Sequence, residues 1–131
     1  MKYLIIGLVM LGANSRAFAQ KTDMMIRMAE IEIDANYREE YNKILQEEAG
    51  ASVRLEPGVI SIFPLYQKEN LNQIRILEIY ANQEAYESHL KTPHFQKYKT
   101  TTAKMVKSLK LIDMKALDAD TMRKIFAKLK N

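Results

Sequence analysis

Ala85-Tyr86-Glu87-Ser88-His89-Leu90-Lys91-Thr92-Pro93-His94-Phe95 decides how the chain is read, because it places both of the chain's histidines at one helix-turn-helix junction. Asn82 can cap a helix that runs to Leu90 or Lys91. Thr92 then caps a second helix with Pro93 at its first position, where a missing N–H costs nothing. His94 thereby falls in a helix's first turn, among orphan N–H groups that disfavour added positive charge, which suits it to accept a proton. His89 lies on the preceding helix, in line with Ala85.

Working outward, Met24 to Ile33 reads as a first strand, ended by Asp34-Ala35-Asn36. Tyr37, Tyr41, Ile44 and Leu45 recur at helical spacing, with Glu39, Glu40, Lys43, Glu47 and Glu48 assigned to the solvated side, so an amphipathic helix runs to about Leu55. Glu56-Pro57-Gly58 stops it and launches a second strand, Val59 to Tyr66, in which Pro64 indicates an edge or bulge. Lys68 to Asn72 links this by a hairpin to a third strand, Gln73 to Tyr80. After the two histidine-bearing helical pieces, which carry Phe95, Tyr98, Thr102 and Met105 at helical spacing, a fourth strand spans Val106 to Met114. The order β-α-β-β-α-β predicts an α+β, ferredoxin-like domain with both helical layers on one face of a four-stranded antiparallel sheet.

The strands are apolar on both faces: Ile74, Ile76 and Tyr80 alternate with Leu77 and Ile79. Helices cover one face only, so the other calls for a cover, and a second copy of the same sheet is the simplest; a homodimer is expected. Glu78 shares the face of Ile76 and Tyr80. It is either a carboxyl held among aromatic and histidine side chains or an edge residue paired with a Lys or Arg.

The two ends read differently. Lys2, the apolar run Tyr3 to Ala13 and Ala17-Phe18-Ala19 form a signal peptide, residues 1–19, with an A-x-A cleavage site. The protein is expected to be exported, periplasmic or secreted, with no stable membrane insertion after cleavage. Removing Lys2 and Arg16 lowers the formal charge of +4 by two, and the lysines from Lys97 to Lys110 come without any nucleic-acid motif, so no nucleic-acid partner is expected. Residues 20–117 form the single domain. In 118–131, Met122, Ile125, Phe126 and Leu129 make a short amphipathic helix behind Asp118 and Asp120, expected to dock on the domain or a partner subunit.

Zero cysteines exclude disulfides, thiolate nucleophiles and cysteine metal sites. There is no phosphate loop, nucleotide fingerprint, G-x-S-x-G elbow or H-E-x-x-H helix. His89 and His94 are spaced i, i+5, which does not stack them on one helix, and no neighbouring carboxylate completes a ligand set; no metal and no other cofactor is expected. Each histidine is equally readable as a hydrogen-bonded structural group.

Glu56-Pro57-Gly58-Val59-Ile60-Ser61-Ile62-Phe63, then Glu78-Ile79-Tyr80-Ala81-Asn82-Gln83-Glu84-Ala85-Tyr86, then His89 and Thr92-Pro93-His94-Phe95, resemble the antibiotic biosynthesis monooxygenase family of dimeric α+β barrels, over Met24 to Leu117. The resemblance implies a homodimer with sheets face to face and a pocket between each sheet and its helices. It also implies a monooxygenase that acts with O2, without flavin, haem or metal, on a quinol-like or polycyclic aromatic molecule. In that reading His94 is the base or hydrogen-bond partner, His89 and Glu78 support it, and Phe63, Tyr80, Phe95 and Tyr98 are candidate substrate-binding walls. Haem-degrading relatives use a tryptophan, and this chain has none. A non-catalytic protein that binds a small aromatic ligand and a small-molecule isomerase are the alternatives on this fold.

Overall fold

The computed structural model describes residues 24–129; the leader read at 1–19 lies outside them. The element order is β1 (Met25–Ile33), a 3-10 turn (Ala35–Tyr37), α1 (Arg38–Leu55), β2 (Val59–Gln67), β3 (Asn70–Tyr80), α2 (Gln83–Leu90), α3 (Pro93–Thr102), a second 3-10 turn (Ala103–Met105), β4 (Val106–Met114) and α4 (Ala119–Ala127). The four strands form one antiparallel sheet in the order β2-β3-β1-β4. This is the ferredoxin-like α+β arrangement expected from the sequence. β2 is an edge strand, the position that Pro64 tolerates because an edge leaves one row of N–H groups unpaired. β3 begins at Asn70 rather than Gln73, so the hairpin closes through Lys68 and Glu69.

The caps at the histidine junction form where the sequence puts them. The Asn82 side chain accepts from the Ala85 N–H at 2.8 Å, and the Thr92 hydroxyl accepts from the Phe95 N–H at 3.3 Å with Pro93 opening α3. On α1, Tyr41, Leu45 and Ala49 face the sheet, and so do Glu48 and Ser52. Glu48 is only 6% exposed, which corrects its assignment to the solvated side. Its position, three residues beyond Leu45 and seven beyond Tyr41, lies inside the apolar stripe; residue type, not spacing, misleads.

Strand register sorts the sheet into two faces. Toward the helices lie Ala29, Ile31, Ile74, Ile76 and Tyr80, the floor of the core, which packs with Tyr41, Leu45 and Met105. On the other face Phe63, Leu77, Met28 and Ile112 form one cross-strand row, and Ile79, Ile26 and Met114 the next. On that face Phe63 is 56% and Met114 48% exposed, although Ile79 is buried. α4 is capped by Asp118, whose carboxyl accepts from the Asp120 N–H, and none of its residues is fully buried.

Gly58 is required by a close approach. A Cβ built there would stand 2.5 Å from the Ala85 Cβ in the first turns of α2. Ala85 is a short side chain that cannot swing aside. Gly58→Ala is therefore expected to cost about 1–3 kcal/mol through overpacking and to lower Tm by several degrees in thermal denaturation. Adding Ala85→Gly should recover part of the loss; a Gly58→Ala protein as stable as wild type would show that the turn does not bear on α2.

Candidate active site

Between the sheet and the helices lies a cavity of about 360 Å³, lined by Ile31, Leu45, Ile62, Ile76, Leu109, Leu111, Phe95 and Tyr98 with a few polar groups, among them Arg27, Glu48, Glu78, Tyr80, Tyr86 and His89. An apolar chamber with a small set of converging polar atoms is the usual form of a small-molecule site. Its volume sits at the low end of that range, which favours a small ligand.

His89, the last residue but one of α2, has 2% of its surface exposed. Its Nδ1–H donates to Glu56 Oε2 at 2.9 Å, and the Nε2–H of His94 donates to the same oxygen at 2.6 Å. One carboxyl oxygen thus joins the end of α2 to the start of α3 and assigns both tautomers by its acceptor role. The far nitrogen of His89, Nε2, stands 3.5 Å from Glu48 Oε1. Ser52 Oγ donates to that oxygen at 2.7 Å. The His89 ring packs against Phe95 and Tyr80, with centroids 4.9 and 5.5 Å away.

Glu78 reaches the cavity from β3, opposite Arg27 in the register, and Tyr80 Oη donates to its Oε1 at 2.8 Å. Burial pushes the Glu78 carboxyl up from the usual carboxylate range, against the hydrogen bond from Tyr80 and the nearby His89 and Arg27. Burial raises Glu48 in the same way, with Ser52 and the two histidines opposing. Burial also raises Tyr80, and takes Tyr98, hydrogen-bonded through its hydroxyl to Tyr41 at 2.7 Å, to about 12. Arg27 is held by Asp113, which accepts from Nε and Nη2 at 3.1 and 3.0 Å, while Nη1 donates to Tyr86 Oη at 2.7 Å.

The structure brings together five of the residues singled out from the sequence: Glu78, Tyr80, His89, Phe95 and Tyr98 all line the cavity. Two are placed elsewhere. His94 opens on a neighbouring depression with Lys97 and Tyr98, its Nε2 already occupied by Glu56, so the imidazole that reaches the cavity is His89. Phe63 points to the opposite face of the sheet, paired with Leu77, because it is one residue out of phase with Ile62, which does line the cavity. Glu48, Glu56, Arg27 and Tyr86 were not anticipated. The carboxyl that local spacing does not supply to the histidines comes from Glu56, 33 residues before His89.

The raised Glu78 carboxyl carries a sign. A folded pKa above the unfolded value, near 4.5, means that the native state holds the proton more tightly. The stability it contributes is complete below that value and declines as pH rises through the folded pKa. Glu78→Gln keeps the acceptor for Tyr80 and removes the titration, so urea unfolding should show a smaller loss of stability between pH 4.5 and neutrality in the variant than in wild type. Identical slopes would contradict the assigned burial.

The profile of the antibiotic biosynthesis monooxygenase family matches residues 24–101. Among solved structures, a candidate antibiotic biosynthesis monooxygenase of Bacteroides thetaiotaomicron is 48% identical, with a TM-score of 0.74, over 75% of this chain and 93% of that one. A candidate monooxygenase of Lactobacillus acidophilus is 31% identical, with a TM-score of 0.68, over 70% of this chain and 43% of that one. A candidate antibiotic biosynthesis monooxygenase of Nitrosomonas europaea has the same fold at 18% identity, with a TM-score of 0.68, over 72% of this chain and 90% of that one. No curated protein matches the chain. By the span of the profile and the identity of the Bacteroides structure, the chain belongs to the antibiotic biosynthesis monooxygenase family.

Proposed function

We propose that the protein is a monooxygenase that oxidises a small quinol-like or polycyclic aromatic compound with O2, and that the oxidation itself needs no flavin, haem or metal. The observation that carries this reading is the single imidazole of His89 set among aromatic walls and two carboxyls, Glu48 and Glu78, that burial pushes up from the usual carboxylate range. A phenol or anthrone loses a proton to His89 Nε2, which Glu56 holds in place from Nδ1. The anion passes one electron to O2, the resulting radical pair joins as a carbon-bound peroxide, and loss of water leaves a new C=O. A quinol and O2 thereby give a hydroxyquinone and water, with all electrons drawn from the substrate. The imidazolium of His89 returns its proton to the leaving oxygen, the proton lost from the peroxide-bearing carbon completes the water, and Glu78 lies in the same cavity to relay it.

An isomerase is the second reading, favoured by Glu78 and His89 facing one cavity as a proton donor and acceptor. It differs in needing no oxygen. O2 uptake on a reduced quinone or anthrone, measured with chelator-treated protein, tests the first reading. His89→Ala should lower turnover about a hundredfold or more, and His94→Ala, which acts only through Glu56, should cost less. An unchanged rate in a folded His89→Ala protein overturns the assignment, and equal turnover under anaerobic conditions moves the protein to the isomerase reading.

We also propose that the open sheet face closes against a second copy and that the protein is exported. The rows Phe63-Leu77-Met28-Ile112 and Ile79-Ile26-Met114 support the first, the leader at 1–19 the second. Light scattering of the secreted protein should give twice the chain mass, with an N-terminus at Gln20. Leu77→Asp should yield monomers, because it would bury an unpaired charge in the interface. A wild-type monomer with Met1 retained would remove both.

A further inference from the structure

We infer that Glu56, His89 and His94 form a binding site for one divalent first-row transition ion. The three donor atoms come from three separate pieces of chain, the turn after α1, the end of α2 and the start of α3, and lie within 4.8 Å of one another. Glu56 Oε2 is 2.9 Å from His89 Nδ1 and 2.6 Å from His94 Nε2. An ion with bonds of about 2.1 Å sets adjacent ligands about 3.0–3.4 Å apart, so the two Glu56 contacts need open by less than an ångström while the two ring nitrogens, already within 4.8 Å, draw together around the ion.

Two further features fit an ion. Glu48, itself fixed by Ser52, stands 3.5 Å from the far nitrogen of His89, where a carboxyl commonly orients a metal-bound histidine. The donors are two imidazoles and one carboxylate, a set that selects zinc, iron, cobalt or nickel over the all-oxygen preferences of magnesium and calcium. It leaves coordination positions for water or a ligand atom.

Occupancy would place the ring hydrogen of His89 on Nε2, where it donates to Glu48, leaving no lone pair for a substrate proton. The ion is thus an inhibitor of the oxidation proposed above, a role that rests on that reading; the site itself does not.

The test is a titration of tag-free, chelator-treated protein with Zn(II), followed by NMR. The chain has two histidines, so two ring signals report. Both should move together and saturate at one ion per chain. His94→Ala and Glu56→Gln should abolish saturable binding while circular dichroism reports an intact fold, and Glu48→Gln should weaken it about 10- to 100-fold. Co(II) absorption gives an independent measure of stoichiometry and coordination number. Rings that stay put, or binding that survives His94→Ala, overturns the site. O2 uptake unaffected when both rings are bound would instead overturn the role of His89 as base and leave the site standing.

Discussion

The Glu56 carboxyl is the tie on which the rest of the site depends. Its backbone N–H closes α1 on Ser52 O at 3.0 Å, and its carbonyl accepts from Val59 N at 3.1 Å to start β2. Its side chain is consumed by His89 and His94. One residue therefore couples the end of α1, the first residue of β2 and the α2–α3 junction. Gly58, two residues on, lets the same turn rest against Ala85. Deleting one member of such a cluster strands the others: a half-buried polar group without its partner costs on the order of 1–3 kcal/mol, so the three residues stand or fall as a unit.

A core built only for stability would not hold Glu48 and Glu78. Each pays a desolvation penalty that its hydrogen bond, from Ser52 or Tyr80, offsets only in part, which is why both carboxyls are shifted upward. Apolar residues of the same shape would pack more cheaply. Perturbed carboxyls flanking one imidazole in an apolar pocket follow the pattern by which proteins keep acids and bases ready near neutral pH. Membership in a family does not by itself supply a reaction; the placement of these groups gives the reaction proposed for this chain its physical basis.

What could be read from the sequence was local. Asn82, Thr92 and Pro93 act on N–H groups within three residues of themselves, so the junction is legible without knowledge of the fold. Strand alternation likewise sets Glu78 with Ile76 and Tyr80. The Glu56 contact escapes because it joins positions 33 and 38 residues apart, and no local pattern encodes a distance that only folding closes. Glu48 escapes for another reason: its spacing is that of a core position, but a charged residue type reads as solvated unless the partners that satisfy it are known. The histidines exchange places for the same cause, since which of the two reaches the cavity depends on where Glu56 pulls His94.

Phe63 shows how much rests on parity along one strand. Ile62 and Phe63 are adjacent and both apolar, yet Ile62 lines the cavity while Phe63 is half exposed on the far side. The strand period of two makes the sheet a partition: every residue that serves the chamber withdraws its neighbour to the other face. A β-α-β-β-α-β unit covers one face with its own helices and leaves the second to another surface, so a pocket above the sheet and an apolar row beneath it arise from one alternating pattern. A one-residue slip of β2 against β3 would carry Ile62 out of the chamber and turn Phe63 inward. The bulge between Val59 and Ser61 sets the phase that prevents this, and that phase therefore positions the site as directly as the side chains that line it.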